Sequence, residues 1–232
     1  MPAPAEASPN GTRRGRPLTG GKGKKKTLDG ARSRDHEVVE AAVQLFFQKG
    51  YAATSIQDVA DELGMLKGSL YYYIDGKESL LKRIFETSHQ RVQGIAEKYR
   101  ESDAPAFDRL CGFLREYALW YLNNIPRASL FAREWRHASD DLRSIMVEQR
   151  RYYDVVLREL IYATRQDYEL DPSSEIAMIG NFIMSAVSSL PDWFQPDGAR
   201  SADEVADCYV KYSVRVLLGP KVSEVDNHEL MQ

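Results

Sequence analysis

Residues 54–80 read TSIQDVADELGMLKGSLYYYIDGKESL, and the order of caps, glycine and apolar spacing in this stretch decides the fold. Thr54-x-x-Gln57 has the form of a capping box, in which a threonine hydroxyl accepts from first-turn amides and the glutamine reaches back. Ile56, Val59, Ala60 and Leu63 follow at helical spacing and form one buried face. Gly64 supplies a tight turn, a short helix spans about 66–73, and Asp75-x-x-Glu78 caps a longer helix running to about Tyr99. Upstream, Val38, Val39, Ala42, Leu45 and Phe46 share one face of a helix over about 35–49, with Gly50 as its stop. Helix, turn and short helix in this order make a helix-turn-helix.

Beyond residue 100 the helical period continues, and its punctuation places five more helices at about 104–122, 126–137, 140–166, 172–190 and 201–218. Pro105, Pro126 and Pro172 stand near helix starts. Pro191 and the Pro196-Asp197-Gly198 turn end the penultimate helix, and Ser201-x-x-Glu204 caps the last, which Gly219-Pro220 closes. Outside Ser69–Ile74 nothing alternates with strand period for more than four residues. The expected fold class is therefore all-α, an N-terminal three-helix helix-turn-helix domain followed by a C-terminal helical bundle, about nine helices together.

The 232 residues are 43% hydrophobic and 28% charged, the balance of a soluble globular chain. The formal charge of −3 hides an asymmetry, because residues 1–34 carry nine Lys/Arg against two acids, leaving 22 against 32 in the remainder. Residues 1–33, rich in Pro, Gly, Thr and Lys, lack hydrophobic periodicity and are expected to form a disordered basic arm. A helix-turn-helix domain over 34–80, a helical bundle domain over 81–220 and a tail over 221–232 complete the expected organisation. Cys111 and Cys208 lie far apart on apolar helix faces and suggest neither a disulfide nor a metal knuckle. His36, His89, His137 and His228 are scattered without metal-ligand spacing or a Ser or Cys partner, so no metal, cofactor or catalysis is expected. With no apolar leader and no uninterrupted apolar run, a cytoplasmic chain without a membrane partner follows.

The stretch 54–80 strongly resembles the TetR family of one-component regulators. The cap, the alanine and glycine of the turn, the Ser-Leu-Tyr-Tyr-Tyr of the short helix and the downstream Lys-Glu all stand at the family spacing. The resemblance implies a transcriptional regulator that binds an operator in double-stranded DNA. Physical reasoning on the short helix agrees, since a recognition helix buries one face and shows polar and aromatic groups on the other. Leu70 and Ile74 are expected to anchor it, leaving Lys67, Gly68, Ser69, Tyr71 and Tyr72 to meet bases and phosphates. Three successive helical residues cannot all face inward, and Tyr73 is the expected core member of its run. Thr54, Ser55 and Lys77 stand at helix starts, where amides favour a phosphate. In the arm, Arg14-Gly15-Arg16-Pro17 looks like an AT-hook core. Arg14 and Arg16 would enter a minor groove or supply nonspecific phosphate attraction, and a solvated tail is the plain alternative.

Aromatic density marks the C-terminal half. Phe113, Tyr117, Trp120, Tyr121, Phe131, Trp135, Tyr152 and Phe182 are candidate walls of an apolar ligand cavity, although ordinary packing accounts for most residues at this spacing. Glu134-Trp135-Arg136-His137 and the Asp192–Gly198 turn look like the subset of TetR regulators that control lipid or sterol catabolism. That resemblance implies an acyl-CoA effector, with Arg133, Arg136 and Arg150 as candidate phosphate partners. The last two helices are similar to the pair through which the family forms its homodimer. Ile176, Ile179, Gly180, Ile183 and Val187 make one expected interface stripe, and Val205, Tyr209, Tyr212 and Val216 the other. Repression is the family's usual mode. An architectural DNA-binding protein without effector, or an enzyme using the helical cavity, remain the alternatives.

Overall fold

The computed structural model describes residues 23–135, 138–172 and 175–219, with side chains from Arg34 onward. Every regular element among them is helical. The chain divides into two units, residues 1–36 and 37–232. Its elements are α1 (Gly23–Lys49), α2 (Ile56–Glu62), α3 (Lys67–Leu70), α4 (Lys77–Arg100), α5 (Ala106–Asn123), α6 (Ile125–Glu134), α7 (Asp140–Asp167), α8 (Ile176–Ser188), α9 (Leu190–Trp193) and α10 (Ala202–Leu218).

The first helix begins at Gly23 rather than near residue 35, so residues 23–33 are helix where a disordered arm is expected. No proline follows Pro17 in this stretch, and Lys, Leu, Ala and Arg are good helix formers. Once a helix exists downstream, each added residue gains a hydrogen bond without a new nucleation cost. Residues 1–22 lie outside the described residues, and Arg14 and Arg16 with them.

Gly50 ends α1 at φ +86° and Gly64 makes the α2–α3 turn at φ +60°, both in the left-handed region that excludes most side chains. Pro126 opens α6 and Ser201 caps α10 through a box with Glu204, as the punctuation predicts. Pro191 behaves differently. Instead of ending α8 it occupies the first turn of the one-turn α9, where its missing N–H costs nothing.

Two apolar cores result. One joins α4, α5, α7, α8 and α10 around Leu110, Phe113, Leu157, Ile161, Ile183 and Val214. The other gathers Val38, Ala42, Phe46, Val59, Leu70 and Ile74 from the helix-turn-helix with Leu80, Leu81, Ile84 and Phe85 of α4. It does not stop near residue 80, because Leu130 of α6 and Leu142 and Met146 of α7 are buried in the same cluster. Among the described residues no helix is long and apolar enough to cross a membrane.

Candidate functional site

The surface of α2 and α3 is set by caps one residue away from the expected ones. Ser55, not Thr54, is the N-cap of α2, and its hydroxyl accepts from the Asp58 amide at 3.1 Å while the Asp58 carboxylate accepts from the Ser55 amide at 2.8 Å. Bonds from Lys49 and Ser55 hold the Asp58 carboxyl well below the usual carboxylate range. Gln57, the expected partner, donates to Asp61 instead. Thr54 is buried, and its hydroxyl donates to the Gly50 carbonyl at 2.8 Å, tying the start of α2 to the end of α1. It has no surface to offer a phosphate, which corrects its expected role.

Lys77 is corrected in the same way. Its ammonium donates to the carbonyls of Tyr51 (2.8 Å), Thr54 (3.0 Å) and Ala52 (3.2 Å) and lies 4.4 Å from the centre of the Tyr51 ring. It fastens α4 to the α1–α2 turn rather than facing solvent. The α4 cap also differs from Asp75-x-x-Glu78. The Ser79 hydroxyl accepts from the Gly76 and Asp75 amides, and its own proton goes to the Gly76 carbonyl.

The short third helix is a single turn, Lys67–Leu70, continued by turn bonds from Tyr73 and Ile74 to the Leu70 carbonyl. Arg83 takes the Tyr73 carbonyl at 2.7 Å and closes that turn. Leu70 and Ile74 are buried, and Tyr73 packs against the core. Ser55, Lys67 and Gly68 are exposed, Ser69 is half-buried, and Tyr71 and Tyr72 stand 49% and 90% exposed. Except for Thr54 and Lys77, the described residues nominated for DNA contact therefore keep accessible surface, at the α2 cap and along α3 and the turn that continues it.

A second feature lies among α4, α5, α6, α7 and α8, a cavity of about 530 Å³. Tyr117, Trp120, Tyr121, Phe131 and Trp135 line it. Three other nominated residues do not. Phe113 is fully buried behind the wall, stacked on Tyr117, and Tyr152 turns to Glu97, its hydroxyl 3.4 Å from that carboxylate. Phe182 lies on the outer face of α8. One step along a helix rotates a side chain by about 100°, so Tyr153 takes the inward place that Tyr152 was expected to hold, and on α8 Met184 and Ser188 line the cavity instead of Phe182.

Seeking aromatics alone misses Ser88, His89 and Val92 on α4, and Met146, Gln149 and Asp154 on α7, all of which line the cavity. Their i, i+3, i+4 spacing was the available signal. The inner wall is neutral. The His89 Nδ1 pairs with the Tyr153 hydroxyl, and burial holds the imidazole below its usual range. Burial likewise pushes the phenols of Tyr117, Tyr121 and Tyr153 up. The Gln149 Oε1 is buried with no partner among the described residues. Charge sits toward solvent, on the exposed Arg150 and Arg151 with Asp154 one turn on. Arg133 lies over the Phe47 ring and is not a cavity residue, and Arg136 is outside the described residues.

Helix α6 touches both features. Phe131 lines the cavity and stacks on Phe85 of the helix-turn-helix core at 4.5 Å. Arg127 forms an ion pair with Glu40 of α1. Glu134 is 6% exposed, and its Oε1 accepts from the Tyr51 amide at 3.4 Å while its Oε2 is buried without a partner among the described residues.

The expected dimer stripes turn mostly inward. Ile179, Ile183, Val187, Val205 and Tyr209 are buried in the chain's own bundle, Gly180 packs beside Arg158, and Ile176 is half-buried. Tyr212 and Val216 do face out, joined by Met178 and Phe182 of α8 and by Trp193. Helix α8 is apolar on two faces, so its periodicity could not separate core from outer face.

Comparison with known proteins covers both halves of the fold. Residues 38–84 match the family model described as bacterial regulatory proteins, tetR family, and residues 103–217 match the tetracyclin repressor-like C-terminal domain. The HTH-type transcriptional repressor KstR2 of Rhodococcus jostii is 26% identical over 204 residues, 82% of this chain and 94% of that protein. Its namesake from Mycolicibacterium smegmatis is 24% identical over 201 residues, 84% of this chain and 95% of that one. A Rhodococcus regulatory protein of the tetR family, solved by crystallography, superposes with a TM-score of 0.72 at 27% identity, covering 79% of this chain and 96% of its own. The chain belongs to the TetR family and is a helix-turn-helix, DNA-binding transcriptional regulator.

Proposed function

We propose that this regulator is a cytoplasmic repressor that binds a palindromic operator as a two-fold dimer and is released by an amphipathic effector, an acyl-CoA thioester, held in the cavity. The observation that carries the reading is the shared wall. Phe131 and Met146 line the cavity and also belong to the apolar cluster beneath the recognition helix. A ligand that displaces them acts on the cluster in which Leu70 of α3 is buried. Repression is supported by the name of the relatives that align over most of the chain.

Lys67, Gly68, Ser69, Tyr71 and Tyr72 are the operator contacts, with Ser55 beside them, while Thr54 and Lys77 hold the frame. The exposed face of Met178, Phe182, Tyr212 and Val216 meets its copy in the dimer. About 530 Å³ lies within the usual range for a small-molecule site. An acyl chain suits the neutral aromatic end, and Arg150 and Arg151 stand where phosphates would leave the mouth. Release requires several kcal/mol of preference for the state with displaced recognition helices. The test titrates medium- and long-chain acyl-CoAs into the protein–operator complex, with free acids and CoA as controls. Dissociation by thioesters alone is expected, and operator occupancy unmoved by every thioester would overturn the effector.

A further inference from the structure

Two residues at the start of α3 have no explanation inside the chain. Leu66 is the N-cap of α3, yet it is 80% exposed, makes no capping bond and belongs to neither apolar core. Serine, threonine or aspartate there would bond a first-turn amide, and leucine forgoes that stabilisation. Gly68 has open space where a Cβ would stand and a backbone outside the left-handed region, so neither crowding nor strain requires a residue that helices disfavour. Both flank Lys67.

The first residues of a recognition helix are those that reach base edges in the major groove. The apolar group that a base edge shows there is the 5-methyl of thymine. A leucine left in water at this position matches it, and a missing Cβ at Gly68 lets the DNA approach closely enough for contact. We infer that Leu66 is a specificity-determining residue that packs on the 5-methyl of one thymine in each half-site, with Gly68 providing the clearance. The inference rests on α3 as the DNA-reading helix and adds an apolar readout to its polar contacts.

The full-length chain first selects duplex sites from random DNA, and each thymine of the selected site is then replaced by deoxyuridine. Burying one methyl is worth about fourfold in affinity. The unaltered protein is expected to lose about that factor at one position per half-site, and Leu66→Ala to lose almost nothing there. Other thymines should affect both proteins alike. Leu66→Ala should melt with the unaltered chain, and Gly68→Ala should melt at the same temperature or higher yet bind more weakly, a pairing of signs that a structural role would not produce. If Leu66→Ala weakens thymine and deoxyuridine sites equally, the leucine rests on the sugar–phosphate backbone and methyl readout is overturned. If Tyr72→Ala leaves selection and affinity unchanged as well, the assignment of α3 falls and takes the inference with it.

Discussion

Replacing Glu134 with methionine should make the protein more stable and a poorer operator binder. Its carboxylate is buried and engaged on one side only, by a Tyr51 amide 3.4 Å away. A bond at that length falls below the range of about 1.5–3 kcal/mol for charged acceptors and is worth about 1 kcal/mol. The second oxygen is buried without a partner among the described residues, a condition that costs about 1–3 kcal/mol and more for a charged group. Methionine of similar length removes both terms, so the larger one decides and the net gain is about 1 kcal/mol. For a domain of this size that is about 2–4 °C in melting temperature. Glutamine keeps the Tyr51 acceptor and should fall between. The same substitution frees the α1–α2 turn from α6, and losing a tie worth about 1 kcal/mol should weaken operator binding about fivefold. Thermal melting at one fixed protein concentration and fluorescence anisotropy with operator duplex measure the two effects. A methionine variant destabilised by more than about 1 kcal/mol, beside a glutamine variant equal to the parent, would refute the reasoning by showing that the Tyr51 bond outweighs the buried oxygen.

The two lysines of the helix-turn-helix should separate cleanly. Lys77→Met loses three carbonyl contacts and should cost about 2 kcal/mol of stability, read by urea unfolding, whereas Lys67→Ala should leave stability intact and reduce operator affinity and its salt slope. Phe182→Glu places a charge on the exposed apolar face of α8 and should shift sedimentation from dimer to monomer without loss of helicity. His89 is held below its usual value of 6.5 by burial, so the unfolded chain binds the extra proton first as pH falls. Stability should therefore decline as pH drops through about 6.5 and below, a slope that His89→Gln should flatten in melts across pH 5–8.

Much of the architecture was legible because helix ends are written in short-range chemistry. Gly50, Gly64, Pro126 and the Ser201–Glu204 box act within one turn of themselves, and each lies where its local pattern places it. What escaped depended on neighbours remote in sequence. Thr54 reads as a cap until the Gly50 and Leu45 carbonyls claim its hydroxyl, and Lys77 reads as a free cation until the turn 23–26 residues earlier folds beneath it. The cavity was half legible. Aromatic rings at helical spacing identified five of its walls, but only packing determines that Tyr153 faces in and Tyr152 out. The dimer stripes failed for a related reason, since α8 has apolar residues on both sides and a single chain's pattern cannot rank two apolar faces.

These displaced roles bear on how a ligand can reach the DNA surface. Helix α4 carries Ser88, His89 and Val92 on the cavity and Leu80, Leu81, Ile84 and Phe85 in the core under α3, and by itself it would suffice as a lever. It is not mechanically independent. Lys77 fixes its first turn to the α1–α2 turn, and that turn is held from the far side by Glu134 of α6. Helix α6 meanwhile packs Phe131 on Phe85, with Phe131 lining the cavity too. A ligand that shifts α4 alone must break the Phe85–Phe131 stack, whereas one that moves α4 and α6 together keeps it and carries the α1–α2 turn along. Packed interiors resist continuous deformation and favour such joint displacement of rigid elements. The pair α4–α6 is accordingly the unit whose position an effector must select. The Glu134 contact to Tyr51 is then part of the coupling, because through it the pair carries the turn at the end of α1.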